Sequence, residues 1–280
     1  MNLVFLNQPV FELSKKTFLI LTLLCCWQIT FGQELIRSVP LSSPRLMTTD
    51  NGGNIYIALS DNSLVRYTPD GDSTAFYRGI SNGDIGWIDA TNPLKILLYY
   101  PAFSKVVLLD KMLSPKLELD LKKLNLMSPP AVGVSSDGMI WVYDVFQARL
   151  KKIDEQLQVV ISSNDLRMET GELPNPGSLL EQDYKVYMTD SLHGIYIFDR
   201  YGSYLQTLPF FTNSPIQVIG DQLVYRIQDT LSAYHLKSGT ETAILLPQAS
   251  GIISVRMERG RLYLLYADRL DIYRMPQAKE

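Results

Sequence analysis

The 280-residue sequence is poor in the residues that build metal sites and covalent cross-links: it has only two cysteines and two histidines. Cys25 and Cys26 are adjacent near the N-terminus, so the chain beyond them has no thiol that could form a disulfide. His193 and His235 belong to different repeats of the pattern described below. A metal site rich in histidine or cysteine and a Ser-His-Asp triad are therefore not indicated.

The sequence also lacks an apolar run of transmembrane length. The candidate run follows Lys15 and Lys16 and covers residues 17–31, whereas a membrane-spanning helix needs about 20 apolar residues. A positive start, a short apolar stretch and a small residue at its end are typical of a secretory signal peptide, and Gly32 is that small residue. We predict that residues 1–32 form a signal peptide and that residues 33–280 form the exported domain.

Two alternatives stay open for this segment. It would act as a membrane anchor if it were not cleaved, or it would carry a lipid if Cys25 were an attachment site. Leu24 disfavours lipidation, because the attachment motif requires a small residue immediately before the cysteine.

The charge balance is slightly acidic, since 26 Lys and Arg against 29 Asp and Glu give a net charge of −3. This balance provides neither a basic surface for nucleic acid nor a polybasic patch for anionic lipid. No proline- or serine-rich linker divides the chain. We expect one exported domain, periplasmic or secreted, that is a monomer, binds no nucleic acid and has no membrane span after signal removal.

Six segments repeat one pattern, in which a turn with Asp or Gly precedes an apolar strand, a tight polar turn and a further strand. They occupy residues 50–67, 95–110, 137–154, 183–199, 221–236 and 261–273. Equivalent positions are about 41 residues apart on average, and a period near 40 with four short strands per unit is typical of β-propellers. These positions are Ile55, Ile96, Ile140, Val186, Leu223 and Leu262. The predicted fold class is all-β: a six-bladed β-propeller with four-stranded antiparallel blades.

The sixth unit lacks a fourth strand of its own. Fourth strands are predicted for the other five units at residues 75–78, 117–121, 158–162, 205–208 and 241–245. Residues 34–40 and 241–247 share a Glu-to-Pro pattern of strand-forming residues. We predict that residues 34–39 form the outer strand of the last blade and close the ring, which would otherwise leave a free sheet edge.

Two stretches resemble the repeats of NHL-type and TolB-like six-bladed propellers: Asp-Asn-Gly-Gly-Asn-Ile-Tyr-Ile-Ala from residue 50, and Ser-Ser-Asp-Gly-Met-Ile-Trp-Val-Tyr from residue 135. The resemblance covers the predicted mature chain at the level of pattern. It implies the fold but not one function, because such propellers include enzymes, sensors and scaffolds.

The resemblance also suggests where a metal could bind. Some related propellers are lactonases or esterases that hold calcium in the central tunnel with Glu, Asn and Asp. The corresponding oxygen ligands here are Asn82, Asp84, Glu181 and Asn213, and nothing in the sequence shows that they converge. We expect no cofactor, with calcium as the one metal that the resemblance raises.

Strand direction sorts the loops onto two faces of the ring. The turns between second and third strands share one face, here called the upper face, with the connections between blades; the remaining turns lie on the lower face. Residues 164–177 form a long connection on the upper face, and such loops are often functional. Candidate binding residues on this face are Asp61, Asn62, Asp84, Trp87, Phe103, Phe146, Gln147, His193 and Asp229.

Aromatic and polar groups on one rim favour a surface that binds a protein or a small ligand. Phe103 and Phe146 lie in turns where no core requires them, although each would also fit beneath a neighbouring loop. The leading hypothesis is a non-catalytic binding or scaffold propeller with a partner in the cell envelope.

The alternative function is a metal-dependent hydrolase, lactonase- or esterase-like, with its site in the central tunnel. No catalytic residue is assigned, because the sequence has no GxSxG, no HExxH and no phosphate-binding glycine loop. A sensor domain is a third option, although the sequence has no second domain to relay a signal.

Overall fold

The computed structural model of the protein describes residues 33–79, 82–212, 214–247 and 250–276. The predicted signal peptide, residues 1–32, lies outside the described residues, as does Asn213. Within the described ranges, no helix is both long and apolar enough to cross a membrane.

The described residues contain six four-stranded antiparallel sheets, which form the blades of a ring. The first strand, β1 (Glu34–Pro40), belongs to the last blade. Blade 1 comprises β2 (Pro44–Thr49), β3 (Ile55–Leu59), β4 (Ser63–Tyr67) and β5 (Ser73–Arg78). Blade 2 comprises β6 (Trp87–Asp89), β7 (Ile96–Tyr100), β8 (Lys105–Leu109) and β9 (Pro115–Asp120). Blade 3 comprises β10 (Val132–Val134), β11 (Ile140–Asp144), β12 (Arg149–Ile153) and β13 (Val159–Ser162).

The second half of the ring repeats this arrangement. Blade 4 comprises β14 (Pro176–Gln182), β15 (Lys185–Asp190), β16 (Gly194–Asp199) and β17 (Tyr204–Leu208). Blade 5 comprises β18 (Gln217–Ile219), β19 (Gln222–Ile227), β20 (Thr230–His235) and β21 (Glu241–Ile244). Blade 6 comprises β22 (Ser254–Glu258), β23 (Arg261–Leu265), β24 (Arg269–Arg274) and β1. The predicted six-bladed β-propeller is therefore confirmed.

Each blade is buried on both faces, because it packs between two neighbours in the ring. In β7, Ile96, Leu98 and Tyr100 pack towards blade 1, whereas Leu97 and Tyr99 pack towards blade 3. Six apolar clusters result, one at each boundary between adjacent blades. Burial on both faces explains why the second strands are nearly continuous apolar runs instead of alternating ones.

Aspartates recur at the starts of the turns between third and fourth strands. In three turns between third and fourth strands, a carboxylate Oδ1 accepts hydrogen bonds from the backbone amides two and four residues later, at 2.8–2.9 Å; these aspartates are Asp110, Asp154 and Asp199. A short acceptor side chain satisfies amides that the sheet does not pair, which is why Asp recurs there.

The ring is closed by the N-terminal strand. β1 pairs antiparallel with β24, placing Leu35 opposite Tyr273 and Val39 opposite Leu270. The predicted closure of the last blade by residues 34–39 is confirmed, and the strand extends one residue further, to Pro40.

The closing strand also binds blade 1. Arg37 Nη1 donates to Asp72 Oδ1 at 2.7 Å and to the carbonyl of Asp70 at 3.0 Å. Gly71 lies between these two partners with a φ of +87°, and a Cβ at this position would lie only 2.7 Å from Val39 Cγ2. Glycine is required here both by the left-handed backbone and by the close approach of β1.

Two connections differ from the sequence prediction. The fourth strand of blade 2 was expected to include Leu121, but β9 ends at Asp120 and a 3₁₀-helix, Leu121–Leu124, follows. The Asp120 carboxylate accepts a hydrogen bond from Lys122 N at 3.1 Å and so caps that helix. The long connection of residues 164–177 contains a short helix, α1 (Leu166–Thr170), whose Leu166 packs into the cluster between blades 3 and 4.

We predict that Val39→Ala destabilises the protein by about 2 kcal/mol, because it removes two methyl groups from the cluster between blades 6 and 1. Leu35→Ala in the same strand is the matched control: Leu35 is 51% exposed, so its loss should change stability by less than about 0.5 kcal/mol. Urea denaturation of both variants measures the difference. Equal effects of the two substitutions would contradict a closing role for β1.

Candidate functional site

The inner strands of the blades surround a central channel, and two cavities lined by described residues lie along it. The larger, of about 200 Å³, is lined by β2, β6, β14, β18 and β22 and by lower-face turn residues such as Asn51 and Thr91; we call it the lower cavity. A smaller cavity of about 80 Å³, the upper cavity, lies where β2, β6 and β22 begin. Arg256 and Trp87 line both cavities.

Arg256 extends into the channel from the middle of β22. Its side chain is almost completely buried; Nη1 donates to the Ile216 carbonyl at 3.1 Å and Nε lies 3.4 Å from the Met47 carbonyl. It therefore connects the inner strand of blade 6 to blades 5 and 1. Burial lowers the pKa of Arg256 to about 10, and the carboxylate of Asp89 opposes this shift. Among the described residues, Arg256 has no ion-pair partner.

Asp89 is the buried acid at the lower end of β6. It accepts hydrogen bonds from Thr91 N at 2.9 Å, Thr91 Oγ1 at 2.6 Å and Val134 N at 2.7 Å. Burial raises the pKa of Asp89 against the opposing effect of these hydrogen bonds. Because its partners belong to blades 2 and 3, Asp89 joins two inner strands across a blade boundary.

Two further carboxylates line the lower cavity, and they differ in their partners. Asp50 accepts four hydrogen bonds from its own turn and the adjoining β3, donated by Gly52 N, Asn54 N, Asn54 Nδ2 and Tyr56 Oη at 2.8–3.0 Å. Glu258 forms no ion pair with any described residue. Burial raises the pKa of the Glu258 carboxyl, and the neighbouring carboxylate of Asp50 adds to that effect, while Arg259 opposes it.

Sequence reasoning did not single out Arg256 and Glu258. Both lie in β22, the inner strand of blade 6, at alternate positions of Ser-Val-Arg-Met-Glu. Charged residues two apart in an inner strand, with apolar residues on the opposite side, were the available signal, because alternate side chains of a strand share a face.

Three predicted site residues gather at the upper end of the channel. Asn62 Nδ2 donates to Asp84 Oδ1 at 3.0 Å, and Arg45 Nη1 lies 3.3 Å from Asp84 Oδ2. The hydrogen bond from Asn62, with the charge of Arg45, lowers the pKa of Asp84. Trp87 lies in the channel wall, and its buried Nε1 has no hydrogen-bond partner in the described part of the chain.

The remaining predicted residues are spread around the upper rim. Asp61 accepts a hydrogen bond from the Ser63 hydroxyl, and Asp229 lies 3.5 Å from Arg226. The Phe103 ring is half exposed, with Lys122 Nζ 5.8 Å from its centroid. The backbone amides of Phe146 and Gln147 both donate to Asp144 Oδ1, and the Phe146 side chain is 75% exposed.

The oxygen ligands suggested for calcium are not assembled by the contacts that the structure describes. Asn82 accepts a hydrogen bond from Lys105 Nζ at 2.9 Å. Glu181 lies at the boundary of blades 3 and 4, where its carboxylate accepts from the hydroxyls of Ser135 and Ser136 and from Trp141 Nε1. Asn213 is outside the described residues, and within them no group of three or more His, Cys, Asp or Glu is placed to hold a metal ion.

The upper face carries most of the exposed apolar side chains. Of the twenty large apolar side chains that are exposed among the described residues, eleven lie in or beside upper-face loops, four lie in lower-face turns and five lie on outer strands. The eleven are Phe103, Met127, Val145, Phe146, Met168, Leu173, Leu192, Phe211, Ile227, Leu245 and Ile253. They form an arc from blade 2 round to the start of blade 6, here called the apolar arc.

His193 holds part of this arc in place. Its Nδ1 lies 2.8 Å from Asp190 Oδ2 and its Nε2 lies 3.1 Å from Glu172 Oε2. The hydrogen bond to Asp190 raises the pKa of His193, and the charge of Glu172 adds to that effect. The imidazole thus ties the long connection between blades 3 and 4 to the strand end of blade 4.

No protein-family model matches the chain, and no curated protein matches it. Several solved structures, in contrast, do match the chain. A catalytically inactive variant of virginiamycin B lyase from Staphylococcus aureus with quinupristin is 13% identical, with 86% of this chain and 99% of that chain covered and a TM-score of 0.61.

Two further solved structures are similar. BBS1N in complex with ARL6DN is 12% identical, with 89% and 98% of the two chains covered and a TM-score of 0.59. The C-terminal WD40 domain of Sif2 is 9% identical, with coverage of 84% and 82% and a TM-score of 0.56. At these identities the likeness is one of fold alone. It agrees with the ring of sheets described above: the chain is a β-propeller, with six blades.

Proposed function

We propose that this chain is an exported, non-catalytic binding or scaffold propeller that holds a protein partner against its upper face. The observation that carries the proposal is the apolar arc, which concentrates eleven exposed large apolar side chains on one face. Single exposed apolar residues are common on protein surfaces, but eleven in or beside the upper-face loops against four in the lower-face turns favour the upper face as the interaction surface.

The chemistry of the arc suits a protein more than a small molecule. Phe, Met and Leu are prominent in it, and aromatic residues and Met are enriched in protein interfaces. Phe146 is 75% exposed and Met168 is 85% exposed, so neither contributes much to the core of the free protein. Charged residues such as Asp61, Arg78 and Asp268 complete the rim between blades 6 and 1.

The turns that carry the arc are tight. Ser104 and Ala148, which follow Phe103 and Phe146 in their turns, have φ values of 52° and 49°. A non-glycine residue with positive φ is held in place by its surroundings, so these aromatic rings are presented by ordered turns on a rigid ring. Such pre-organisation reduces the entropy lost on binding. The likeness to BBS1N, which was solved in complex with ARL6DN, is consistent with a propeller that binds protein.

Export is the sequence-based part of the proposal. It rests on Lys15, Lys16, the apolar run of residues 17–31 and Gly32, with no cysteine beyond Cys26. The partner would then be a protein of the cell envelope or the surroundings. Cell fractionation together with the N-terminal sequence of the native protein tests this part, since cleavage near Gly32 is expected.

The hydrolase of the central channel stays an alternative. No contact of the described residues favours it over the binding module. Calorimetric titration with calcium, repeated on Asp84→Ala, distinguishes the two, because a calcium-dependent enzyme requires stoichiometric calcium uptake and a binding module does not.

We predict that Phe103→Ala combined with Phe146→Ala weakens partner binding more than tenfold, because aromatic anchors contribute strongly to interface affinity. The matched control is Tyr184→Ala combined with Tyr201→Ala, which removes two similarly exposed rings from the lower face. Partners are captured from envelope extracts with the unaltered protein, and affinities of the purified partner are then measured for both variants. If the upper-face variant kept its affinity for the partner, or if the lower-face variant lost it, the result would argue against the proposed surface.

We predict that His193 makes the attachment of the long connection pH-dependent. Because Asp190 and Glu172 raise the pKa of folded His193, its contribution to stability is complete below its ordinary pKa and is lost as the pH rises through the folded value. The stability difference between the unaltered protein and His193→Gln should therefore be largest below about pH 6.5, the ordinary pKa of histidine, and should shrink as the pH rises above it. Denaturation at a series of pH values measures this difference. The stability of Glu172→Gln should depend less on pH than that of the unaltered protein. A stability difference between the unaltered protein and His193→Gln that grows with pH would contradict the assignment.

A further inference from the structure

The lower cavity contains two oppositely charged groups, Arg256 and Glu258, and neither is in ion-pair contact with a described residue; Asp89 and Arg259 act on them only through longer-range electrostatics. Arg256 is 4% exposed and its hydrogen-bonding partners are neutral carbonyls, those of Ile216 and Met47. A guanidinium has five N–H donors, and only two nitrogens of Arg256 have a protein partner in the described ranges. A buried charge is costly when it is unpaired, so this guanidinium is suited to receive an anionic group.

Glu258 is the acidic counterpart on the same side of the same strand. It lies two residues beyond Arg256 in β22, so both side chains face the channel with their Cα atoms about 6.7 Å apart. Met257, between them, packs into the apolar cluster between blades 5 and 6. Arg256 is therefore deep in the cavity, whereas Glu258 is half-buried near its lower end.

The other two acids of the cavity already have partners. Asp50 is surrounded by donors of its own turn, and Asp89 by Thr91 and the backbone of Val134. Glu258 is therefore the carboxylate of this cavity that is available to a ligand. The proximity of Asp50 makes its surroundings negative, which favours a cationic group beside it.

The combined charges of the residues that line the lower cavity disfavour the binding of a simple anion or a simple cation. Three carboxylates line the cavity against one guanidinium, so a plain anion would be repelled on approach to Arg256. A plain cation would bind near Glu258 and leave the buried guanidinium unpaired. A molecule that carries both charges satisfies both groups.

The size of the cavity limits the ligand. At about 30 Å³ per water molecule, a volume of about 200 Å³ corresponds to about seven waters. This is the volume of a small metabolite and is too small for a folded partner.

We propose that the lower cavity binds a free amino acid, with its carboxylate on the Arg256 guanidinium and its ammonium group at the Glu258 carboxylate. This site is separate from the apolar arc, because it lies at the opposite end of the channel. Its existence does not depend on the upper-face partner.

The experiment is calorimetric titration of the protein with the standard protein amino acids and with γ-aminobutyrate. The best-binding amino acid is then compared with its des-amino analogue, which keeps the carboxylate and lacks the ammonium group. We expect saturable binding with one site, and at least tenfold weaker binding of the analogue. Absence of binding by every amino acid, as in a channel that holds only water, would overturn the proposal, as would equal binding of the analogue.

Two variants test which residue holds each end of the ligand, Glu258 for the ammonium group and Arg256 for the carboxylate. Glu258→Gln removes a charge that has no ion pair in the described structure, so the fold should be unaffected; we expect it to abolish the preference for the amino acid over its analogue. Arg256→Lys keeps the charge and loses the planar fork, and we expect it to weaken both ligands at least tenfold. Arg200→Gln, an exposed lower-face arginine that stacks on Tyr184 outside the cavity, is the control and should bind normally. Unchanged binding by Glu258→Gln would overturn the proposal even if Arg256→Lys failed to fold.

Discussion

The antiparallel pairing of β1 with β24 converts a row of sheets into a ring. It supplies the fourth strand of blade 6 and brings Val39 into the boundary with blade 1. The central channel depends on this closure, because β2 and β22 are adjacent only across the closed boundary. The contact of Arg256 Nε with the Met47 carbonyl crosses the same boundary. Closure therefore determines the geometry of the channel as well as the stability of the last blade.

The two faces of the ring differ in chemistry because they are built from different parts of the blades. The apolar arc lies on upper-face loops, which are free to vary because the sheets below them carry the core. The lower cavity is built from inner strands, whose alternate side chains face the channel. Arg256 lies between the two cavities, so the channel has a charged partition near its middle.

The ring of six blades was predictable because its signals are local. Burial of a blade on both faces appears as an apolar run, and the tight turns appear as Asp and Gly at regular intervals. The association of Asn62 with Asp84 also agrees with their assignment to one face. The cavity was not predictable, because its lining combines strands of five blades that are far apart in sequence.

The direction of single side chains was a second obstacle. In β14, Leu180 and Gln182 line the channel, whereas Glu181 between them points to Trp141 of the neighbouring blade. The sequence does not show which of the two alternating sets of side chains in an inner strand faces the channel axis, since a shift of one residue exchanges the two sets. The closing strand also affects the order in which the parts of the ring can form. Glu34 and Arg274, which form an ion pair, are 240 positions apart, so the last ladder forms only after nearly the whole polypeptide is available. A chain that leaves the ribosome N-terminus first therefore keeps an open ring until its last strand, β24, is released and can pair with β1.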